Sequence, residues 1–178
     1  FMKYVDYIVV GGGISGSVLS YTLMKYGASV HVFDLPKENH SSIVASGLWN
    51  PIVLKRMKKV WKADEMMETL QRVYPAMENW TGKKFYHPMP IRRVFHNAGE
   101  QNQWVMHSDH PSFSPYLNES ISSLPEHIIA AHGSGIMKQT GRIKVKAMLA
   151  AVRATLKASG NFTEEKFNWS QLESHGDG

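Results

Sequence analysis

The sequence predicts an α/β protein that starts with a parallel β-sheet and its flanking helices. Two short apolar runs, Tyr7–Val10 and Val30–Phe33, are rich in β-branched residues, which is typical of buried parallel strands. A glycine cluster and a helical pattern separate them, so together they form a strand–helix–strand unit. The chain has 178 residues, 43% hydrophobic and 20% charged, which is enough for a globular core.

Each element of this first unit has its own signal. The run Tyr7–Val10 is predicted to be a strand buried on both faces, because it is uniformly apolar or aromatic and glycine ends it. In residues 15–26 apolar positions recur on one helix face, and Gly27 is placed to end that helix. The second strand, Val30–Phe33, ends at Asp34. A connection of this kind predicts parallel strands.

The middle of the chain is expected to begin with a loop from Pro36 to Pro51, which is rich in polar and small residues. A helix follows, with a kink or break expected at Pro75 and an end at Gly82. Its apolar stripe, interpreted as a packing face, comprises Met66, Leu70, Val73, Met77 and Trp80.

The second half of the chain combines strands with one clear helix. Residues 85–95 contain prolines and are expected to form strands at a sheet edge, whereas residues 97–125 show no clear periodicity. Residues 136–143 are predicted to form a strand or hairpin, and residues 144–159 a helix with one apolar face. Residues 162–169 alternate as a strand does.

The chemical signal is the cluster Gly11–Gly16, which has the pattern G-x-G-x-x-G between a strand and a helix. Gly11 permits the tight turn, Gly13 removes a Cβ that would keep the backbone from a pyrophosphate, and Gly16 lets the helix pack closely on the strand. Asp34 follows where the carboxylate that binds ribose belongs. The pattern predicts a Rossmann-type fold that binds a dinucleotide; the alternative is a glycine turn with a packing role alone.

The next segment, Val44–Pro51, resembles the second flavin-contacting segment of the D-amino-acid oxidase family of FAD-dependent oxidoreductases. Its pattern of small, small, Gly, Leu, Trp, polar and Pro follows the acidic residue at the separation found in that family. Ser41 and Ser42 stand where the family has hydroxyl residues near the phosphate and ribitol of the flavin. The resemblance is specific over residues 5–51 and general beyond them. Leu35 departs from it, because the animal oxidases have a basic residue there.

The resemblance implies a bound FAD that takes hydride from the Cα–H of an amine or amino acid, whose imine then hydrolyses. It implies a Rossmann-type FAD-binding part at residues 2–55 and about 140–178, with residues 56–139 as part of a second, smaller α+β substrate domain. The implied cofactor-binding residues are Gly11, Gly12, Gly13, Ile14, Ser15 and Gly16 at the pyrophosphate, Asp34 at the ribose, and Ser41, Ser42, Ala45, Ser46, Gly47 and Leu48 along the ribitol and isoalloxazine, together with Leu35, which follows Asp34. These positions imply no catalytic base.

Composition argues against several other sites and partners. The chain has no cysteine, which excludes disulfides, thiolate zinc sites and cysteine nucleophiles. The net charge is +5, but the only dense basic run, Lys55–Lys59, is short and is interpreted as solvated, so no nucleic-acid partner is expected. Glycines interrupt the uncharged residues 7–24, so no membrane span is expected and a cytoplasmic location is the default. His107 and His110 lie in a polar segment that offers no helix or strand to aim both rings at a metal, and no metal site is expected.

Three functions stay open on the sequence: oxidation of an amine or amino acid, modification of tRNA by a flavoprotein, and nucleotide binding without catalysis. Members of the resembled family are about twice as long as this chain and carry their substrate-binding groups largely in the second half. We therefore expect weak FAD retention, an exposed apolar surface that favours self-association, and little or no amino-acid oxidation. The polar residues 171–178 are not expected to add a strand.

Overall fold

The structure, a computed structural model, describes residues 4–35, 41–121, 124 and 129–171, so the predicted polar end of the chain lies almost wholly outside the described residues. The helices are α1 (Ile14–Lys25), α2 (Ser41–Val44), α3 (Ala63–Thr81), α4 (Ala98–Ser108) and α5 (Val145–Ala158). The strands are β1 (Tyr7–Val10), β2 (Val30–Phe33), β3 (Leu48–Trp49), β4 (Ile52–Val53), β5 (Lys58–Lys59), β6 (Tyr86–Pro88), β7 (Ile91–Val94), β8 (Ser134–Met137), β9 (Gly141–Ile143) and β10 (Phe162–Thr163).

The chain divides into two compact units. Unit 1 comprises Phe1–Ala45, Asn79–Lys84 and Val145–Gly178, and unit 2 comprises Ser46–Glu78 and Phe85–Lys144. The sequence places the limits of its two parts at residues 55 and 140 instead. The assignment of the parts to cofactor and substrate stays a prediction.

Unit 1 is built on a parallel sheet with the strand order β1-β2-β10. Tyr7 lies opposite Val30 in the first pair, and Phe162 lies opposite Val32 in the second. The predicted parallel pairing of β1 and β2 is confirmed, and the unit has a Rossmann-type α/β fold. β10 is much shorter than the strand predicted over residues 162–169.

β10 ends where its partner strand ends. Its last residue, Thr163, lies opposite Phe33, which is the last residue of β2. The carboxylate of Glu164, the first residue after β10, forms an ion pair with Lys157 of α5.

The first strand is more exposed than predicted. Tyr7 and Val10 are each 50% exposed, and Val9 is the buried residue of β1. β1 lies at one side of the described sheet, whereas β2 lies in its centre and buries Val30 and Val32. Strand position, which the apolar run does not encode, accounts for the difference.

The helices of unit 1 follow their predictions closely. α5 buries the expected apolar face, formed by Val145, Met148, Leu149, Val152 and Leu156. α1 begins at Ile14, within the glycine cluster, and Gly27 beyond its end has a φ of +87°, in the left-handed region that glycine adopts at low cost. These helices hold the glycine cluster on the sheet through a packed core.

Unit 2 combines antiparallel strands with α3 and α4, which is an α+β arrangement. Its strands form the sheet β3-β9-β6 and the pairs β4-β5 and β7-β8. Its core cluster consists of Ile52, Met67, Phe95, Trp104, Tyr116, Leu117 and Met137. The strands predicted in residues 85–95 are confirmed as β6 and β7.

Three segments differ from the sequence predictions. The segment expected to be a loop up to Pro51 contains α2 and β3. Residues 97–125, which show no clear periodicity, contain α4. This helix has only a weak apolar pattern because it buries little besides Trp104. The side chain of Asn97 caps this helix by accepting a hydrogen bond from the Glu100 N–H at 2.9 Å. Residues 136–143 contain the end of β8 and the whole of β9, which pair with other strands and form no hairpin with each other.

The helix α3 runs through Pro75 without the break that the sequence suggests. Met67 and Met77 are buried on either side of Pro75, so packing outweighs the backbone hydrogen bond that proline removes. The buried face also differs by one position, because Met67 is in the core and Met66 is 45% exposed.

Candidate functional site

The glycine cluster forms a tight turn at the ends of the two parallel strands. The N–H of Gly11 donates to the carbonyl oxygen of Phe33 at 2.8 Å, and Gly11 has a φ of +105°, a conformation that side chains disfavour. A Cβ on Gly16 would lie 1.9 Å from the carbonyl oxygen of Gly11 and 3.4 Å from a methyl group of Val9. Gly16 is therefore required for α1 to approach the turn.

The two middle glycines face polar side chains that come from elsewhere in unit 1. A Cβ on Gly12 would lie 2.9 Å from Oδ2 of Asp34, and a Cβ on Gly13 would lie 2.9 Å from Oγ of Ser42. The bare backbone of the cluster thus lies between the carboxylate that follows β2 and a hydroxyl group of α2. The structure brings these predicted site residues together.

The N-terminus of α1 opens onto this turn. Gly13 is the N-cap residue and offers no side chain for capping, and the first turn of the helix has no acidic residue. The N–H of Ile14 donates to Oγ of Ser42 at 3.2 Å. Because the first N–H groups of a helix have no partner within it and carry partial positive charge, this end is suited to an anion.

Asp34 lies at the edge of the turn and has a partner that the sequence analysis missed. Nη2 of Arg153, from α5, donates to Oδ2 of Asp34 at 3.1 Å, and the two side chains are 26% and 16% exposed respectively. The guanidinium also lies over the ring of Phe162, at 5.7 Å from its centroid. No local motif could have indicated this pair, because its members are 119 positions apart.

The remaining predicted residues of unit 1 are more exposed. Leu35, Ser41 and Ala45 present exposed side chains, while Ser15 is exposed on the first turn of α1. None of the contacts described for these four residues indicates what they bind. Their roles stay predictions.

The predicted flavin-contacting residues Ser46, Gly47 and Leu48 belong to unit 2. The carbonyl oxygen of Gly47 accepts from the N–H of Ile143 at 2.9 Å, and that of Ser46 accepts from Nε of Arg142 at 3.2 Å. These bonds attach the segment to β9. The side chain of Leu48 remains exposed at the start of β3.

Trp49 packs this segment against its own sheet. Its ring stacks on Tyr86 at a centroid distance of 5.0 Å, and its Nε1 donates to the carbonyl oxygen of Gln139 at 3.1 Å. Tyr74 stacks on the other ring of the pair, Tyr86, at 6.2 Å. Burial raises the pKa of Tyr74, and burial followed by the charge of Glu78 raises the pKa of Tyr86. Both phenols are neutral packing groups.

The histidine pair lies differently from the prediction. His107 is in the last turn of α4, so this segment does have a helical scaffold, and its Nδ1 lies 2.8 Å from the carbonyl oxygen of Gln103. Nδ1 of His110 accepts from the N–H of Ser112 at 3.1 Å. Within the described ranges, no group of three or more acidic or histidine side chains is arranged to hold a metal ion. No helix in the described part of the chain is long and apolar enough to cross a membrane.

Comparison with known proteins places the fold. Residues 9–40 match the family described as NAD(P)-binding Rossmann-like domain. Glycine oxidase from Bacillus cereus ATCC 14579 has a TM-score of 0.63 at 20% identity, over 90% of this chain and 46% of its own. L-amino acid deaminase from Proteus vulgaris has a TM-score of 0.65 at 15% identity, over 91% of this chain and 40% of its own. Iminodiacetate oxidase from Chelativorans sp. BNC1 has a TM-score of 0.65 at 12% identity, over 89% of this chain and 46% of its own.

These likenesses concern the arrangement of the chain, because the identities are low. This chain spans less than half the length of each of the three solved structures. What the comparisons show is that its Rossmann-type α/β fold is the fold found in part of these amino-acid oxidases and deaminases.

Proposed function

We propose that unit 1 binds the adenosine diphosphate half of FAD and that the chain acts in the oxidation of an amine or amino acid. The observation that carries the proposal is the convergence of three groups on one glycine turn. These are the uncapped N-terminus of α1, the hydroxyl of Ser42 and the carboxylate of Asp34. The first two suit the pyrophosphate, and the carboxylate suits the ribose.

The residues present fit a pyrophosphate at the turn. Gly12 and Gly13 have no side chains of their own to keep a ligand from the backbone, and a Cβ at either position would meet a polar neighbour at 2.9 Å. The partial positive charge at the N-terminus of α1 attracts phosphate oxygens, which is worth about 0.3–1 kcal/mol for an exposed helix end. The Ser42 hydroxyl, which now accepts from Ile14, can rotate and donate to such an oxygen.

The residues also fit a ribose beside the turn. The carboxylate of Asp34 lies next to Gly12, after the strand adjacent to β1. A carboxylate in this position accepts hydrogen bonds from ribose hydroxyls in Rossmann-type dinucleotide sites. Arg153 donates to Oδ2 at 3.1 Å, and among the described residues Oδ1 has no hydrogen-bond donor, so Oδ1 can accept from the ribose.

An oxidative function rests on the solved structures of similar fold and on the sequence of the segment that follows. Two of those structures are named as oxidases and one as a deaminase of amino acids or related amines. A flavin supplies hydride acceptance when bound, and the protein supplies its binding and orientation. We assign the contact with the flavin to Ser46, Gly47 and Leu48, and the recognition of the small substrate to unit 2.

The first experiment measures binding without catalysis. The chain, freed of bound nucleotide, is titrated calorimetrically with ADP, FAD and, as controls, AMP and inorganic pyrophosphate. We expect ADP and FAD to bind more tightly than either control, because only they combine the pyrophosphate with the ribose in one molecule. Equal affinity for ADP and AMP would contradict the pyrophosphate site.

A second experiment addresses the reaction. The absorption spectrum of the purified chain reports bound flavin, and anaerobic mixing with a panel of amines and D- and L-amino acids reports its bleaching. Bleaching by one member of the panel is the expected result for an oxidase. ADP binding without flavin would favour nucleotide binding without catalysis, and retardation of tRNA that weakens with salt would favour the tRNA-modifying alternative.

A further inference from the structure

We propose that Arg153 is the positioning residue of the ribose site: it holds the carboxylate of Asp34 in the orientation that accepts a ribose hydroxyl. This inference rests on the proposed nucleotide site and adds to it a residue from a distant part of the chain. Arg153 does not itself touch the ligand in this proposal. It acts through Asp34.

The geometry of the pair carries the first step. Asp34 follows β2 directly, and no hydrogen bond from the described residues of its own segment, 30–35 and 41–45, fixes its carboxylate. Nη2 of Arg153 donates to Oδ2 at 3.1 Å, and this same oxygen is the one that faces Gly12. One oxygen of the carboxylate is therefore fixed between the guanidinium and the glycine turn, and Oδ1, which has no hydrogen bond to any described residue, is the oxygen that can accept from a ligand.

The surroundings of Arg153 carry the second step. Its guanidinium lies over the ring of Phe162, with 5.7 Å between Cζ and the ring centroid, and its side chain is about three-quarters buried. Its Nε is buried and has no hydrogen-bond partner among the described residues. An unsatisfied buried donor lowers the stability of the folded state, so an arginine here is poorly explained by stability. A role in placing Asp34 explains why an arginine stands at this position.

The chain offers a closely matched control one helical turn away. Lys157 also lies on α5 and has its Nζ over the same Phe162 ring, at 5.5 Å, but its ion pair is with Glu164. Removing the charge of Lys157 changes the net charge and the packing on Phe162 as removing Arg153 does. It leaves Asp34 untouched.

The experiment compares the affinities of ADP and 2′-deoxy-ADP, measured calorimetrically, in the wild-type chain and in Arg153→Met, Arg153→Lys, Asp34→Asn and Lys157→Met. In the wild type the ribose hydroxyl should favour ADP by about tenfold or more, the factor typical of a hydrogen bond to a charged group. Arg153→Met and Asp34→Asn should both reduce this ratio to below about threefold. Lys157→Met should leave it unchanged, and Arg153→Lys should restore most of it.

Thermal melting of the same variants separates positioning from folding. We expect Arg153→Met to melt close to the wild type, because it removes the unsatisfied Nε together with the ion pair. If Arg153→Met melts much lower, the folded Arg153→Lys variant is used instead. An ADP preference close to that of the wild type then supports the proposal, and a preference below about threefold contradicts it. An unchanged ratio in Arg153→Met, or a loss in Lys157→Met equal to that in Arg153→Met, would overturn the role of Arg153 while leaving the nucleotide site standing. A wild-type chain that does not distinguish the two ligands would overturn the role of Asp34 as well.

Discussion

Gly16 and Gly11 are in such close approach that a single methyl group would separate them. A Cβ on Gly16 would lie 1.9 Å from the carbonyl oxygen of Gly11, and this oxygen belongs to the backbone, which cannot rotate away. Gly16→Ala must therefore push α1 from the turn, and we expect it to lower the free energy of unfolding by about 2 kcal/mol or more. Urea unfolding followed by circular dichroism measures this loss, and a variant as stable as the wild type would contradict the described packing.

Gly13→Ala should have the opposite balance of effects. Its Cβ would lie 2.9 Å from Oγ of Ser42, which is the end of a small side chain that can rotate. We expect the melting temperature without ligand to change little, while the affinity for ADP falls at least tenfold because the methyl group occupies the approach of the pyrophosphate. Calorimetric titration and thermal melting of the same sample give both values. Normal ADP binding, or a loss of binding that only follows unfolding, would remove the functional interpretation of the turn.

The sequence could predict the parts of the site that lie close together along the chain, but not the partner of Asp34. The glycine cluster, Asp34 and the helix between them lie within a short stretch, where spacing along the chain determines spacing in the fold. Arg153 belongs to the same site but meets Asp34 across 119 positions, and no local pattern encodes that meeting. The turn and the acid could be predicted, whereas the partner of the acid required the structure.

The same distinction holds for the fold. α5 was predictable because its apolar residues all face one core, whereas α4 buries little besides Trp104 and gives no strong period. The pairing of β8 and β9 with different strands depends on contacts distant in sequence. The predicted burial of β1 on both faces was too high, because an apolar run does not specify whether a strand lies in the centre or at the edge of a sheet.

Glu78 should contribute strongly to the stability of unit 2. Its side chain is almost fully buried, and its Oε1 accepts from the N–H groups of Phe85 at 2.6 Å and Tyr86 at 2.9 Å. Glu78→Leu would leave both donors unsatisfied and should cost about 2–6 kcal/mol, at about 1–3 kcal/mol for each group. Glu78→Gln keeps an acceptor oxygen and should cost clearly less. Denaturant unfolding of the two variants measures the difference, and equal losses would argue against these hydrogen bonds.

Asp64 should make the stability depend on acidity. Hydrogen bonds from Lys59 and then from Tyr116 hold the pKa of the Asp64 carboxyl below its ordinary value. A pKa that is lower in the folded chain stabilises the fold above the pKa of the unfolded chain, and this contribution is lost as the pH falls through the folded pKa. The stability difference between the wild type and Asp64→Asn should therefore shrink as the pH falls from about 5 to about 3. Denaturant unfolding across that range measures it, and a difference that stays constant would contradict the shift.

Asp34 should also decide which adenine nucleotides the site accepts. A 2′-phosphate would lie beside its carboxylate, and like charges about 4 Å apart repel by about 1–4 kcal/mol at surface-like dielectric constants. Arg153, with its Nη2 at 3.1 Å from Oδ2, offsets part of this repulsion but is already committed to the carboxylate. We expect ADP to bind more tightly than 2′-phospho-ADP in the wild type. Asp34→Asn should abolish or reverse the preference, because it removes the repelling charge and frees the guanidinium for the added phosphate.

Asp109→Asn, which removes one exposed acidic charge in unit 2, is the control for net charge and should change neither affinity. Competition calorimetry with the two ligands gives the ratio, and a wild-type preference for 2′-phospho-ADP would refute the role of Asp34.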